Sequence, residues 1–149
     1  MTNKKFNLEE ILGKIRILKK KNLKIGFANG CFDLLHPGHI SLIKESKKIC
    51  DYLIIGLNSD SSVKKLKGDA RPVDPENLRI EKLSKLNEVD AVIIFSEDTP
   101  IRLLSEIKPN FLIKGNDYKY KKVAGSDVVK QNGGKLKLLK YLDGHSTTK

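Results

Sequence analysis

Two histidines three residues apart, His36 and His39, bracket Pro37-Gly38 and follow the stretch Asn29-Gly30-Cys31-Phe32-Asp33-Leu34-Leu35. An apolar run over residues 23–28 precedes this stretch and a helical pattern follows it, so it reads as a strand, a glycine turn and a helix N-terminus. Backbone N–H groups at such a turn, with the positive end of a helix dipole behind them, make a site for anionic oxygens. Phosphate chemistry is therefore the first expectation. A spacing of three across a helix start sets both imidazoles on one side of the first turn. Gly38 leaves room for a phosphate to approach the backbone.

Two other chemistries draw on the same residues. Cys31, Asp33, His36 and His39 could ligate a metal, but His-x-x-His beside one cysteine does not match the usual structural zinc spacings, so no metal ligand is assigned. Cys31 could act as a nucleophile activated by a histidine, which requires an orienting third group and an oxyanion site. A small buried residue at a strand end is the better reading of Cys31.

Further basic and polar residues stand downstream. Lys65, Lys67, Arg71 and Arg79 read blandly as exposed charges on a loop and a helix, although Gly68-Asp69-Ala70-Arg71-Pro72 is too polar and flexible for a core. Asn116 and Asp117 follow a strand end and Gly115, as ordinary turn residues would. Ser146, Thr147 and Thr148 follow the last strand, where hydroxyls serve as a helix cap or as phosphate ligands.

The elements that must position these groups are legible as well. Asn7 caps a first helix with Glu10 at the capping-box position, and Leu8, Ile11, Leu12, Ile15 and Leu18 recur at helical spacing. Short apolar runs at 23–28, 52–58, 91–95, 111–114 and 136–142 predict strands. Helical patterns separate them, which argues for a parallel sheet with crossover helices on both faces. Asp74-Pro75 and Thr99-Pro100 read as a cap followed by proline, with Val73 and Leu78 as a hydrophobic staple, and Asn132-Gly133-Gly134 ends a helix. The expected architecture is α/β: a doubly wound, Rossmann-like sheet of five parallel strands with about five helices, in one domain. Residues 1–22 form an N-terminal helix and 23–149 the catalytic core. Ligands belong at the carboxyl ends of strands where the winding reverses, which is where 29–39 and 114–118 fall.

With 149 residues the chain is long enough for one domain with a substantial core. Two cysteines are too few for a disulfide framework and the N-terminus carries no apolar signal core, so a reduced, cytoplasmic protein is expected. No apolar stretch approaches the roughly 20 residues that cross a bilayer, and no membrane association is expected. The net charge of +11 invites polyanions, but aromatic residues make up 6% without a stacking pattern, so specific nucleic-acid binding is not expected. Phosphorylated small molecules account for part of the charge equally well.

The His-x-Gly-His stretch resembles the signature of the cytidylyltransferase-like nucleotidyltransferases. These are small α/β enzymes that join a nucleoside triphosphate to a phosphorylated small molecule and release pyrophosphate. Asn58-Ser59-Asp60, the run from Leu66 through Gly68-Asp69-Ala70-Arg71-Pro72 to Val73, Glu97-Asp98-Thr99-Pro100, Lys114-Gly115-Asn116-Asp117-Tyr118 and Gly144-His145-Ser146-Thr147-Thr148 are similar to the branch that adenylylates heptose 1-phosphate. The likeness covers nearly the whole chain except the first helix.

The resemblance implies ATP as nucleotide, brought with Mg²⁺, and a sugar 1-phosphate as acceptor. It implies His36, His39, Lys67 and Arg71 as the catalytic set, with Lys65 weaker. Nucleotide contacts would come from Asn29, Gly30, Cys31, Phe32, Asp33, Gly38, Arg79, Gly115, Asp117, Ser146, Thr147 and Thr148. Asp33 would orient a histidine or the substrate, and Cys31 would offer its backbone rather than a thiolate. Glycerol 3-phosphate cytidylyl transfer and flavin-forming adenylyl transfer are the alternatives within the fold, and a basic nucleic-acid-binding module is the alternative outside catalysis. A separate sugar kinase would supply the acceptor, and relatives are often homodimers.

Overall fold

In the computed structural model, which describes residues 3–142, the first helix starts where its cap chemistry places it. Helix α1 (Leu8–Lys20) opens at Asn7, whose side chain accepts the Glu10 N–H at 2.8 Å, while the Glu10 carboxylate accepts the Asn7 N–H at 2.9 Å. Its Ile11 and Ile15 are buried, as the spacing predicts. The chain continues through β1 (Ile25–Gly30), α2 (Pro37–Lys48), β2 (Tyr52–Asn58), α3 (Asp60–Lys67), α4 (Glu76–Ser84), β3 (Ala91–Phe95), α5 (Ile101–Ile107) and β4 (Phe111–Gly115). A single 3-10 turn at Asn116–Tyr118, then α6 (Ser126–Gln131) and β5 (Lys135–Leu139), complete the described residues.

All strand pairings are parallel, in the order β3-β2-β1-β4-β5. The winding therefore reverses between β1 and β4, and the carboxyl ends of those two strands flank the resulting crevice. Every residue of β2 is buried, as expected of a central strand covered on both faces. On one face Ile11, Ile15, Leu103, Leu104 and Ile107 of α1 and α5 pack against Phe27, Ile54 and Ile93. On the other, Ile43 of α2 with Ile80 and Leu83 of α4 packs against Leu53, Ile55 and Leu57.

Some local readings change. Strand β1 runs on through Asn29 and Gly30 because both stay in register with Gly56 and Leu57 of β2. Residues around Lys65 form helix α3 rather than a loop, with Ser59 accepting the Ser62 N–H at 3.3 Å as its cap, so there are six α-helices among the described residues. Asp74 does not cap α4: Pro75 occupies the cap position, and the Asp74 carboxylate accepts the Lys82 ammonium at 2.8 Å. Val73 is exposed and makes no staple. Pro100 likewise sits at the cap of α5 rather than at its first residue, while α6 ends as expected at Asn132 with Gly133 in the left-handed region. Lys4 and Phe6 pair with Val92 through two backbone hydrogen bonds of 2.9 Å, shielding the outer edge of β3. No pattern in residues 3–6 signals that pairing.

Gly56 shows how tightly the sheet meets its neighbours, since a Cβ there would stand 2.5 Å from Cζ of the buried Phe27 ring. Gly56→Ala is expected to destabilise the fold by about 1–3 kcal/mol, because overpacking forces a core ring off its rotamer. A urea titration checks this, and a midpoint equal to that of the parent protein would mean that the ring yields freely.

Candidate active site at the β1–β4 crevice

After Gly30 the chain makes a tight turn in which Phe32 and Leu34 both adopt left-handed backbone angles, φ +47° and +52°. Such angles cost non-glycine residues energy and concentrate where surrounding structure enforces a functional shape. Between them, Asp33 turns its carboxylate toward the loop that follows α3. It accepts Arg71 Nη1 at 2.8 Å and the backbone N–H groups of Val73 and Asp74 at 2.9 Å each. Burial alone would raise the Asp33 pKa; the amides of Asp74 and Val73 and the Arg71 guanidinium outweigh it and hold the carboxyl below its ordinary value. Asp33 thus straps the 68–74 loop to the turn. It makes no hydrogen bond to either histidine, so of the two roles expected for it, orienting a histidine or the substrate, the first is not the one its hydrogen bonds serve.

The histidines form the start of α2. His36 is the cap residue: its Nδ1 accepts the Gly38 N–H at 3.1 Å, and His39 Nδ1 accepts the His36 N–H at 3.3 Å. The rings stack with centroids 3.7 Å apart, and the Phe32 ring lies across His39 at 5.4 Å. With each Nδ1 accepting a backbone N–H, Nε2 is the edge of each ring that can donate to a ligand. Burial, then the proximity of His36 and Lys67, lowers the His39 pKa from 6.5 to about 4. His39 is a neutral Nε2–H donor at physiological pH.

Arg79 corrects the sequence reading. Its side chain is fully buried. Nη1 donates to the Cys31 carbonyl at 2.8 Å and the Asn58 carbonyl at 2.7 Å, Nε to the Asp74 carbonyl at 2.9 Å, and Nη2 to Asp60 Oδ1 at 2.7 Å. It is a clamp joining the carboxyl ends of β1 and β2 to α3 and the loop before α4, with four of its five N–H donors taken by protein. Neutralising a phosphate is not open to it in this arrangement.

The expected residues otherwise converge. A cavity of about 610 Å³ at the carboxyl edge is lined by Asn29, Gly30, Cys31, Phe32, Asp33, His36, His39, Lys67 and Arg71. A smaller one of about 170 Å³ next to it adds Gly115 and Asp117. Gly115 is needed there for close approach, since a Cβ would meet the Tyr141 ring at 2.3 Å. Gly38 is buried in the first turn of α2. Lys65 lines neither cavity; it is exposed and stands 3.9 Å from Asp98, a residue of the larger cavity's wall. Burial raises the Cys31 pKa, so it sits as a thiol and not as an activated nucleophile. Ser146, Thr147 and Thr148 lie outside the described residues.

The model of the cytidylyltransferase-like family matches residues 27–140. The chain belongs to that family. As a member it is a nucleotidyltransferase, the class that the His-x-Gly-His stretch implied. The "Bifunctional protein HldE" of Rhodopseudomonas palustris (strain BisA53) is 53% identical over 130 residues, covering 87% of this chain and 26% of that protein. The protein of the same name from Hyphomonas neptunium is 45% identical over 141 residues, 95% of this chain and 29% of that one. The chain thus spans little more than a quarter of the length of these curated relatives. A lipopolysaccharide core biosynthesis protein from Thermoplasma volcanium, known from a crystal structure, is 30% identical with a TM-score of 0.65, covering 81% of this chain and 98% of that one.

Sequence reasoning missed Lys114 and Tyr118 as individual site residues, although both line the two cavities. The available signal was a lysine inside an otherwise apolar strand run. As to a metal, no group of three or more His, Cys, Asp or Glu side chains among the described residues is placed to hold one. Asp33 is committed to Arg71 and two amides. These donors suit a Mg²⁺ that arrives on the triphosphate and keeps mostly phosphate and water ligands, not one caged by the protein. No described helix is long and apolar enough to cross a membrane.

Proposed function

We propose that this domain transfers the AMP moiety of ATP to a sugar 1-phosphate, D-glycero-D-manno-heptose 1-phosphate, giving ADP-heptose and pyrophosphate for a surface glycan. The carrying observation is the identity of 45–53% with the HldE proteins over 87–95% of this chain. A sugar 1-phosphate oxygen attacks the α-phosphorus of ATP in line, the bond from that phosphorus to the bridging oxygen breaks, and pyrophosphate departs. The attacking oxygen is already anionic, so a strong general base is not needed. Catalysis then rests on positioning and on donors aimed at the charge that builds on the phosphoryl oxygens.

His36 and His39 give Nε2–H bonds to phosphate oxygens, and Lys67 at the end of α3 and Arg71 in the 68–74 loop offset charge. Asn29, Gly30, Cys31, Phe32, Gly38, Gly115 and Asp117 shape the nucleotide and acceptor walls, with Ser146, Thr147 and Thr148 on the β- and γ-phosphates. Mg²⁺ bound to the triphosphate would offset part of its negative charge. A separate sugar kinase supplies the acceptor in the cytoplasm.

A pocket that pairs several sugar hydroxyls rejects an acceptor lacking them, at about 1–3 kcal/mol for each buried group left unpaired. The kcat/KM for ATP with the heptose 1-phosphate should therefore exceed that for CTP with glycerol 3-phosphate. Pyrophosphate release measured for both pairs is the test. A preference for CTP and glycerol 3-phosphate sinks the heptose assignment while sparing nucleotidyl transfer.

A further inference from the structure

Lys114 lies near the carboxyl end of β4, across the winding reversal from β1. Continuing the register of Gly26 with Phe111 and Phe27 with Leu112 brings it abreast of Asn29. Lys114 and Asn29 line both the larger and the smaller cavity, together with His39 and Tyr118, and so stand in the wall the two cavities share.

The electrostatics of that wall are unfinished. Arg71 is paired with Asp33 and Arg79 with Asp60. Among the described residues Lys114 Nζ makes neither a hydrogen bond nor a salt bridge; it stands 5.0 Å from the centre of the Tyr118 ring. Burial lowers its pKa, and Asp117 and Cys31 offset this only in part. Asn29 Oδ1, in the same wall, is buried with no hydrogen-bond partner. A partly desolvated cation with no carboxylate in hydrogen-bond contact gains more from an anionic ligand than an already paired one.

We propose that Lys114 binds the phosphoryl group at which the two substrates join, reaching the α-phosphate of the bound nucleotide from the wall shared by the two cavities. This rests on the nucleotidyl-transfer reading above. The Nε2–H groups of His36 and His39 approach the same group from the start of α2, and Lys114 adds a positive charge from β4. Negative charge grows on the α-phosphoryl oxygens as pyrophosphate departs, so the contact strengthens in the transition state and its loss falls more on kcat than on KM.

The test uses the full chain with Lys114→Met, Lys114→Gln and Lys114→Arg. Calorimetric titration with ATP and Mg²⁺ should show about tenfold weaker binding for the Met and Gln variants, the scale of one charge-assisted contact. Turnover at saturating substrates should fall about a hundredfold, as for other preorganised donors to a developing oxyanion, with part of both losses recovered by Arg. Melting temperatures should not fall, because an uncompensated cation has been removed. ATP affinity within twofold of the parent protein in both neutral variants overturns the inference, whatever the acceptor. A loss confined to the KM of the sugar phosphate overturns it too, by placing Lys114 on the acceptor alone. If the parent protein fails to use the heptose 1-phosphate, the heptose reading falls while the ATP titration still decides Lys114.

Discussion

His39→Ala is expected to lower kcat by about 10²–10³-fold with the fold intact, since deleting one preorganised donor to a transition-state oxyanion costs that much. His36→Ala should behave similarly. The two are not independent, however. His36 Nδ1 occupies the Gly38 N–H and His39 Nδ1 occupies the His36 N–H, so each ring is held by the turn it caps and stacks on the other at 3.7 Å. The double variant should therefore lose less than the product of the single losses. Circular dichroism and melting curves separate lost chemistry from lost capping, which is worth only about 0.5–2 kcal/mol. Turnover near that of the parent protein in either single variant, at saturating ATP and Mg²⁺, would falsify the phosphate-donor role.

The same geometry predicts a pH signature. A neutral His39 with its pKa lowered to about 4 donates through Nε2 across the whole range from weakly acid to neutral pH. Its titration should leave no inflection in kcat between about pH 5.5 and 7.5, where an unperturbed histidine titrates. For stability the sign runs the other way from that of a paired imidazolium. The folded state disfavours the proton that the unfolded chain takes up near 6.5, so the stability present above 6.5 declines as pH falls toward 4. An imidazolium-dependent mechanism would instead lose activity as pH rises through 6.5.

Most of this architecture could be read from residue order because local signals agreed with the global fold. The Asn7–Glu10 box, the apolar runs of β2 and β3 and the Gly133 terminator each act within a few residues, and each forms as its chemistry dictates. What escaped the sequence depends on partners far along the chain. Asp33 meets its donors about forty residues away, at Arg71, Val73 and Asp74. A carboxylate beside two histidines reads as their partner until the fold shows three donors converging from another loop. Asp74 reads as a helix cap, yet Lys82 within α4 claims it. Lys114 carries only a faint signal in sequence for a related reason: a lysine in an apolar strand run acquires its meaning when the winding reversal puts a crevice beside it.

Arg79 carries that contrast furthest, and its replacement has the largest expected effect on stability. Arg79→Met keeps most of the side chain's length and removes every donor. The carbonyls of Cys31, Asn58 and Asp74 then lose their donor, and Asp60 loses its cation. Asp60 is 41% exposed at its side chain and can turn to water, so the cost falls mainly on the enclosed carbonyls. Breaking such a buried arrangement from one side costs about 3–5 kcal/mol, a large share of the 5–15 kcal/mol that holds a domain together. Arg79→Lys should recover less than half of it, because one ammonium cannot span four acceptors in the guanidinium's plane. Urea unfolding of both variants, with and without ATP, is the measurement. If Arg79 is a clamp, the stability loss appears in the free protein and activity falls with the fraction unfolded. If it were a phosphate ligand, as its place in sequence suggested, the free protein would unfold near the parent midpoint and the loss would appear as weaker ATP binding. The direction of every one of its hydrogen bonds favours the first outcome.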